Sequence, residues 1–194
     1  MWPGDPPWRY RLTGAIARGD RANVGEVLGT THAGTHVDAP LHVDPVGLAV
    51  DALPLDAFGG PAIVIDLSAG DGEIGRAEFE AELGGEIPAR LLLATGCDWS
   101  PGFPLRWRGL SADAARWCGE RGVRLVGTDA PSVDEADAAG LDAHRALIGA
   151  RVAIVESLAL AGIAAGRYEL LAFPLRWTGA DASPVRAVLR RIEE

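Results

Sequence analysis

Short apolar runs recur along the chain, separated by glycine, proline and polar clusters. They predict strands over residues 24–30, 62–66, 91–95, 123–128, 152–156 and 168–173. Helix-like stretches fall at 76–83, 111–120, 142–147 and 184–192. Ser111 is suited to cap the second of these, and Gly122 to stop it. Strand, helix and strand between Leu91 and Thr128 read as one βαβ unit. Nothing between Gly70 and Gly75 is long enough for a domain linker, so the pattern predicts one mixed α/β domain over residues 1–194. The first ten residues, rich in Pro and Trp, read as an ordered loop or extended arm. The pentapeptide Phe-Pro-Leu-Arg-Trp occurs at 103–107 and again at 173–177. Its flanks do not match, so it is no repeat architecture.

One segment breaks the apolar alternation with polar groups in register. From His32 to His42, the residues His32, His36, Asp38 and His42 all fall at even positions, which places them on one face of an extended chain. Gly34, Pro40 and the β-branched Thr35 and Val37 argue against a helix. Four extended residues span roughly 13 Å, too far for two imidazoles that share one ion at about 2.0–2.1 Å. The backbone therefore bends between His32 and His36, and Gly34 is the residue that permits it. A lone histidine is ordinarily a surface or core residue. Three of the chain's four histidines gathered beside Asp38 are different, because packing them together costs desolvation and repulsion unless something binds them. The fourth, His144, opens a helix-like stretch. Glu156 ends an apolar run, where a carboxylate leaving a buried strand needs a partner. Spacing alone does not join either one to the first cluster.

Composition narrows the function classes. The formal net charge of -9 disfavours nucleic acid and anionic membrane surfaces as partners. Cys97 and Cys118 have no C-x-x-C spacing and read as reduced thiols of a cytoplasmic protein. The most apolar stretch, 152–165, carries Glu156 and is no membrane span. The start, Met1-Trp2-Pro3-Gly4-Asp5, lacks the basic and apolar runs of a secretion signal.

The string from His32 to His42 resembles the H-x-G-T-H-x-D-x-P-x-H signature of the cyclase-like metal hydrolases. The likeness extends through Trp2-Pro3-Gly4-Asp5, Leu53-Pro54-Leu55, the stretch 127–134, Leu141-Asp142-Ala143-His144 and the stretch 179–186. It implies a swivelling β/β/α fold, usually a homodimer, and a two-zinc centre. His32, His36 and Asp38 would hold one ion. Asp38 would bridge to a second, completed by His144 and Glu156. Mixed imidazole and carboxylate ligands suit zinc and also admit manganese or iron. His42 would be the proton donor and acceptor, and Trp2 would contact the substrate. The implied substrate is a small aryl formamide. Alternatives are a same-family hydrolase of another amide, such as the cyclic amide isatin, and a non-catalytic metal-binding protein. Family members usually begin about a strand's length before the Trp, and an aromatic often stands where this chain has Val43. The remaining tryptophans, Trp8, Trp99, Trp107, Trp117 and Trp177, read as core or interface residues.

Overall fold

The structure, a computed structural model, describes residues 2–192. Met1, part of the opening discussed above, lies outside them. In chain order the strands and helices are β1 (Arg9–Gly14), β2 (Val24–Leu28), β3 (His36–Asp38), β4 (Gly59–Asp66), α1 (Arg76–Leu83), β5 (Arg90–Ala94), α2 (Ala112–Glu120), β6 (Leu125–Thr128), α3 (Asp142–Gly149), β7 (Ala153–Glu156), β8 (Gly166–Leu171), β9 (Ala182–Pro184) and β10 (Val188–Arg191).

β1 and β2 form an antiparallel ribbon of their own. The other eight strands form one sheet in the order β10-β8-β4-β5-β6-β7-β3-β9. Its centre, β4-β5-β6-β7, is parallel, with α1, α2 and α3 as the successive crossovers. The outer strands run antiparallel: β8 on β4, β10 on β8, β3 on β7 and β9 on β3.

Parallel strands covered on both faces need apolar side chains in both directions, and the central strands supply them. Ile65, Leu91, Leu93, Val126 and Ile154 face a cluster with Phe79, Trp117 and Leu147 of the three helices. Val64, Leu92, Leu125 and Val155, one residue out of phase, face a second cluster with Val37, Phe58, Leu158 and Leu170. Removing a side chain such as Leu92, which is fully buried between these layers, costs about 2–5 kcal/mol. Ser111 caps α2 by accepting the Ala114 N–H at 3.1 Å, and Gly122, at φ +78°, turns the chain after it, as the sequence predicts.

The segment 184–192 is not a helix. β9 ends at Pro184, and 188–191 pairs antiparallel with β8 in a register of Val188 with Leu171 and Arg191 with Tyr168. Pairing with β8 overrides the helical propensity of the arginine- and leucine-containing stretch. The period-two series Val185, Ala187, Leu189, whose members all pack on the second cluster, carries the strand signal. Within 32–42 only residues 36–38 are strand. Residues 32–35 bend, with Gly34 at φ +63°, and Pro40–His42 form a 3-10 turn. The predicted strand at 24–30 exists as β2 but lies outside the main sheet.

Candidate metal centre

β3 sits between β7 and β9, with His36 opposite Glu156 on one side and Pro184 on the other. Val37 enters the core, so its neighbours His36 and Asp38 share the opposite face. The bend at Gly34 returns His32 to that face, and the 3-10 turn brings His42. His144 arrives from the first turn of α3. All six sequence-predicted residues, His32, His36, Asp38, His42, His144 and Glu156, therefore converge.

Asp38 is the hub. Its Oδ1 lies 3.0 Å from His32 Nδ1 and 3.4 Å from His36 Nε2, while its Oδ2 lies 3.4 Å from His144 Nε2. Glu156 places Oε1 3.3 Å from His144 Nε2 and Oε2 3.5 Å from His36 Nε2. Donor atoms of His36, Asp38 and Glu156 lie within 4.8 Å of one another, as do those of His32, Asp38 and His42. The His42 ring lies tilted against those of His32 and His144, 4.2 and 5.6 Å away centroid to centroid.

Three of the imidazoles are held at their second nitrogen. His36 Nδ1 donates to the Gly34 carbonyl at 2.8 Å, His144 Nδ1 lies 2.5 Å from Asp134 Oδ2, and His32 Nε2 lies 3.0 Å from Asp181 Oδ2. His42 has no such tether among the described residues; its Nδ1 stands 3.9 Å from Asp181. Asp134 and Asp181 lie inside strings that carry the resemblance, yet nothing in their spacing assigns them to imidazoles. The signal for Asp134 is its position ahead of α3, whose Ala143 and His144 N–H groups it accepts.

The electrostatics follow from this packing. Burial alone would push the His36 imidazole down, but Asp38 and Glu156 outweigh it and raise the group to about 9. Burial likewise opposes His144, and Glu156, Asp134 and Asp38 hold it well above the ordinary value. His42 moves the other way: burial lowers it, and repulsion from His32 and His144 adds to that, outweighing the opposing pull of Asp38 and Glu156. Above the cluster opens a cleft of about 370 Å³ whose walls include Trp2, Trp99, Phe103, Pro131 and Leu141. Trp2 meets Phe103 and Trp107 edge-on at 5.5 and 5.6 Å. Trp99 thus lines the cleft, while Trp107 packs against Trp2 and Phe103 without lining it. Trp117 is buried against Phe79 as the sequence suggests. Phe103 of the first Phe-Pro-Leu-Arg-Trp string lines the cleft, whereas Phe173 of the second lies half-exposed over Gly59.

His36 Nε2, His144 Nε2 and both oxygens of Asp38 are buried, and none makes a hydrogen bond of adequate geometry among the described residues. Orphaned buried polar atoms are costly, and a divalent cation is a partner to which imidazole and carboxylate can both give lone pairs. The residues present fit such an ion. Fold and site define the class of metal-dependent hydrolases. The sequence model of the Cyclase family, described as "Putative cyclase", matches residues 1–135, and the chain belongs to that family. It is 43% identical over 193 residues to the kynurenine formamidase of Salinibacter ruber, an alignment covering 98% of this chain and 91% of that protein. Among solved structures, a protein described as a potential metal-dependent hydrolase with cyclase activity superposes with a TM-score of 0.83 at 28% identity, over 97% of this chain and 90% of the other. Isatin hydrolase A from Labrenzia aggregata superposes with a TM-score of 0.77, also at 28% identity, over 96% and 84%. The mixed α/β architecture expected from the sequence is the one these structures share. Among the described residues no helix is long and apolar enough to cross a membrane, and both cysteines are free.

Proposed function

We propose that the protein hydrolyses N-formyl-L-kynurenine to L-kynurenine and formate at a centre of two zinc ions per subunit. The observation that carries this reading is the convergence of six ionisable side chains, with orphaned donors among them, at the floor of an aromatic-walled cleft. The full-length likeness to kynurenine formamidases supports the choice of substrate. His32, His36 and Asp38 would hold one ion, and Asp38, His144 and Glu156 would hold the other. The two oxygens of Asp38, which face different imidazoles, support its bridging role. The donor set suits zinc and accommodates manganese or iron.

Bound divalent metal supplies Lewis-acid polarisation of the carbonyl and a water acidic enough to react near neutral pH. The chain supplies the remainder. Hydrolysis joins a water oxygen to the formyl carbon, breaks the C–N bond and delivers a proton to the departing aryl amine. An amine leaves poorly as an anion, so a general acid is required at that step. His42 faces the cleft and is the one imidazole of the cluster without a tether at its second nitrogen, which suits a group that takes a proton from water and returns it to nitrogen. Trp2, Trp99 and Phe103 present ring edges and faces to an aryl substrate and exclude water from one side.

The exposed apolar ribbon β1–β2, with Tyr10, Leu12, Val24, Val27 and Leu28 at its surface, supports a homodimer, since a lone two-stranded ribbon is marginal in water. Sizing by light scattering tests that point. The superposition on isatin hydrolase A favours a second reading, a cyclic amide as substrate. Kynurenine release from N-formyl-L-kynurenine, abolished by chelation and restored by zinc, is the expected result. Ring opening of isatin by a zinc-loaded enzyme that leaves the formamide untouched would select the second reading.

A further inference from the structure

The geometry points to Asp181 as a positioning residue that orients His32 toward the metal centre from the far end of the chain. Of the three tethered imidazoles, His32 is the least supported by its own element. His36 is in β3 and His144 is in α3, whereas His32 lies on the bend before β3. Its Nδ1 faces Asp38, and its Nε2 meets Asp181 Oδ2 at 3.0 Å, across 149 residues of sequence. The carboxylate is itself fixed: Thr31 Oγ1 donates to its Oδ1 at 2.9 Å. Its backbone is fixed separately, because the Ala39 N–H donates to the Asp181 carbonyl at 2.9 Å and β9, which begins at the next residue, pairs with β3. The segment is thus anchored independently of the side chain, which leaves the carboxylate to act on His32 at 3.0 Å, with His42 Nδ1 farther off at 3.9 Å. A carboxylate on the outer nitrogen of a ligating imidazole fixes which nitrogen keeps its proton and raises the basicity of the other.

This inference rests on the reading of His32 as a metal ligand. Two variants and two readouts test it: zinc affinity by chelator competition, and the His32 Nε2–H proton by NMR. In the zinc-loaded wild type that proton exchanges slowly and lies downfield. Asp181→Ala is expected to lose that signal and to weaken zinc binding about 10–100-fold, the usual cost of removing such a partner. Asp181→Asn keeps an acceptor oxygen and is expected to retain the signal and hold affinity within about threefold of wild type. Wild-type affinity and an unchanged His32 proton in Asp181→Ala would overturn the inference. So would equal losses in both variants, which would make the carboxylate a ligand or a required charge rather than a positioning group. A wild type that takes up no zinc defeats the metal reading instead; the His32 proton, followed in the metal-free protein at alkaline pH, still tests the contact with Asp181.

Discussion

Asp134 holds His144 from two directions at once. Its Oδ2 lies 2.5 Å from the ring Nδ1, and the same carboxylate accepts the backbone N–H of His144 at 3.1 Å and of Ala143 at 2.8 Å. One buried side chain therefore caps α3 and aims the Nε2 of its histidine at Asp38 and Glu156. Asp134→Ala strands two buried N–H groups and frees the ring. We expect a loss of roughly 1–3 kcal/mol for each buried donor left unsatisfied, read by denaturant unfolding of metal-free protein. Zinc affinity should fall about 10–100-fold alongside it. A variant as stable as wild type would mean that water replaces the carboxylate.

Separate substitutions should divide binding from turnover. His36→Ala removes a donor that faces both Asp38 and Glu156, so metal content and activity should fall together. His42→Ala should keep its metal while turnover drops about 10²–10⁴-fold, the usual weight of general acid–base catalysis. Metal analysis on the dialysed variants decides the matter. Loss of metal from His42→Ala would move His42 into the coordination shell, which its closeness to His32 and Asp38 makes geometrically feasible.

Metal uptake should be coupled to protons. His36 titrates at about 9 among the protein groups alone, above the ordinary 6.5, so at pH 7 it carries a proton that a metal must displace. Calorimetry in buffers of different ionisation enthalpy should show proton release at pH 7 and less of it as the pH approaches 9. The same proton also stabilises the metal-free fold. A raised imidazole contributes stability to the metal-free protein that is complete below about 6.5 and lost as pH rises through about 9. Chelated protein should therefore unfold at lower temperature at pH 9.5 than at pH 6.5, and an inverted order would remove His36 as the source.

The thiols should be inert in the folded protein. Burial pushes Cys118 up to about 12, and burial with Asp129 and Asp98 pushes Cys97 up to about 11, leaving little thiolate at neutral pH. A chromogenic disulfide reagent at pH 8 should titrate both groups rapidly only after denaturant is added. Fast labelling of native protein would show a thiolate stabilised by something other than these surroundings.

The sequence exposes the half of the site that is local. His32, His36, Asp38 and His42 are legible because one bend at Gly34 and one strand are enough to gather them. His144 and Glu156 are reached only through the family resemblance, because the pairing of His36 with Glu156 across β3 and β7 and the docking of α3 bring them in, and no residue spacing encodes either. Asp134 and Asp181 are hidden for a related reason: each looks like an ordinary loop aspartate until the imidazole opposite is known. The strands β4 to β8 and the helices α1 to α3 follow from their apolar patterns. At 184–192 the helical expectation fails because Arg186, Arg190 and Arg191 give a helical composition, while Val185, Ala187 and Leu189 keep the period of a strand.

The position of β3 has a consequence for biosynthesis. A ribosome releases the eleven residues from His32 to His42 early, but β3 acquires neighbours only when β7 and then β9 have emerged. Until then the nascent chain displays imidazoles beside a carboxylate with no walls around them, a loose chelator for whatever ion is at hand. Closure of the sheet by β7 and β9 gathers those groups into a walled cluster, so any selectivity the cluster has among ions is deferred until residue 184 has emerged.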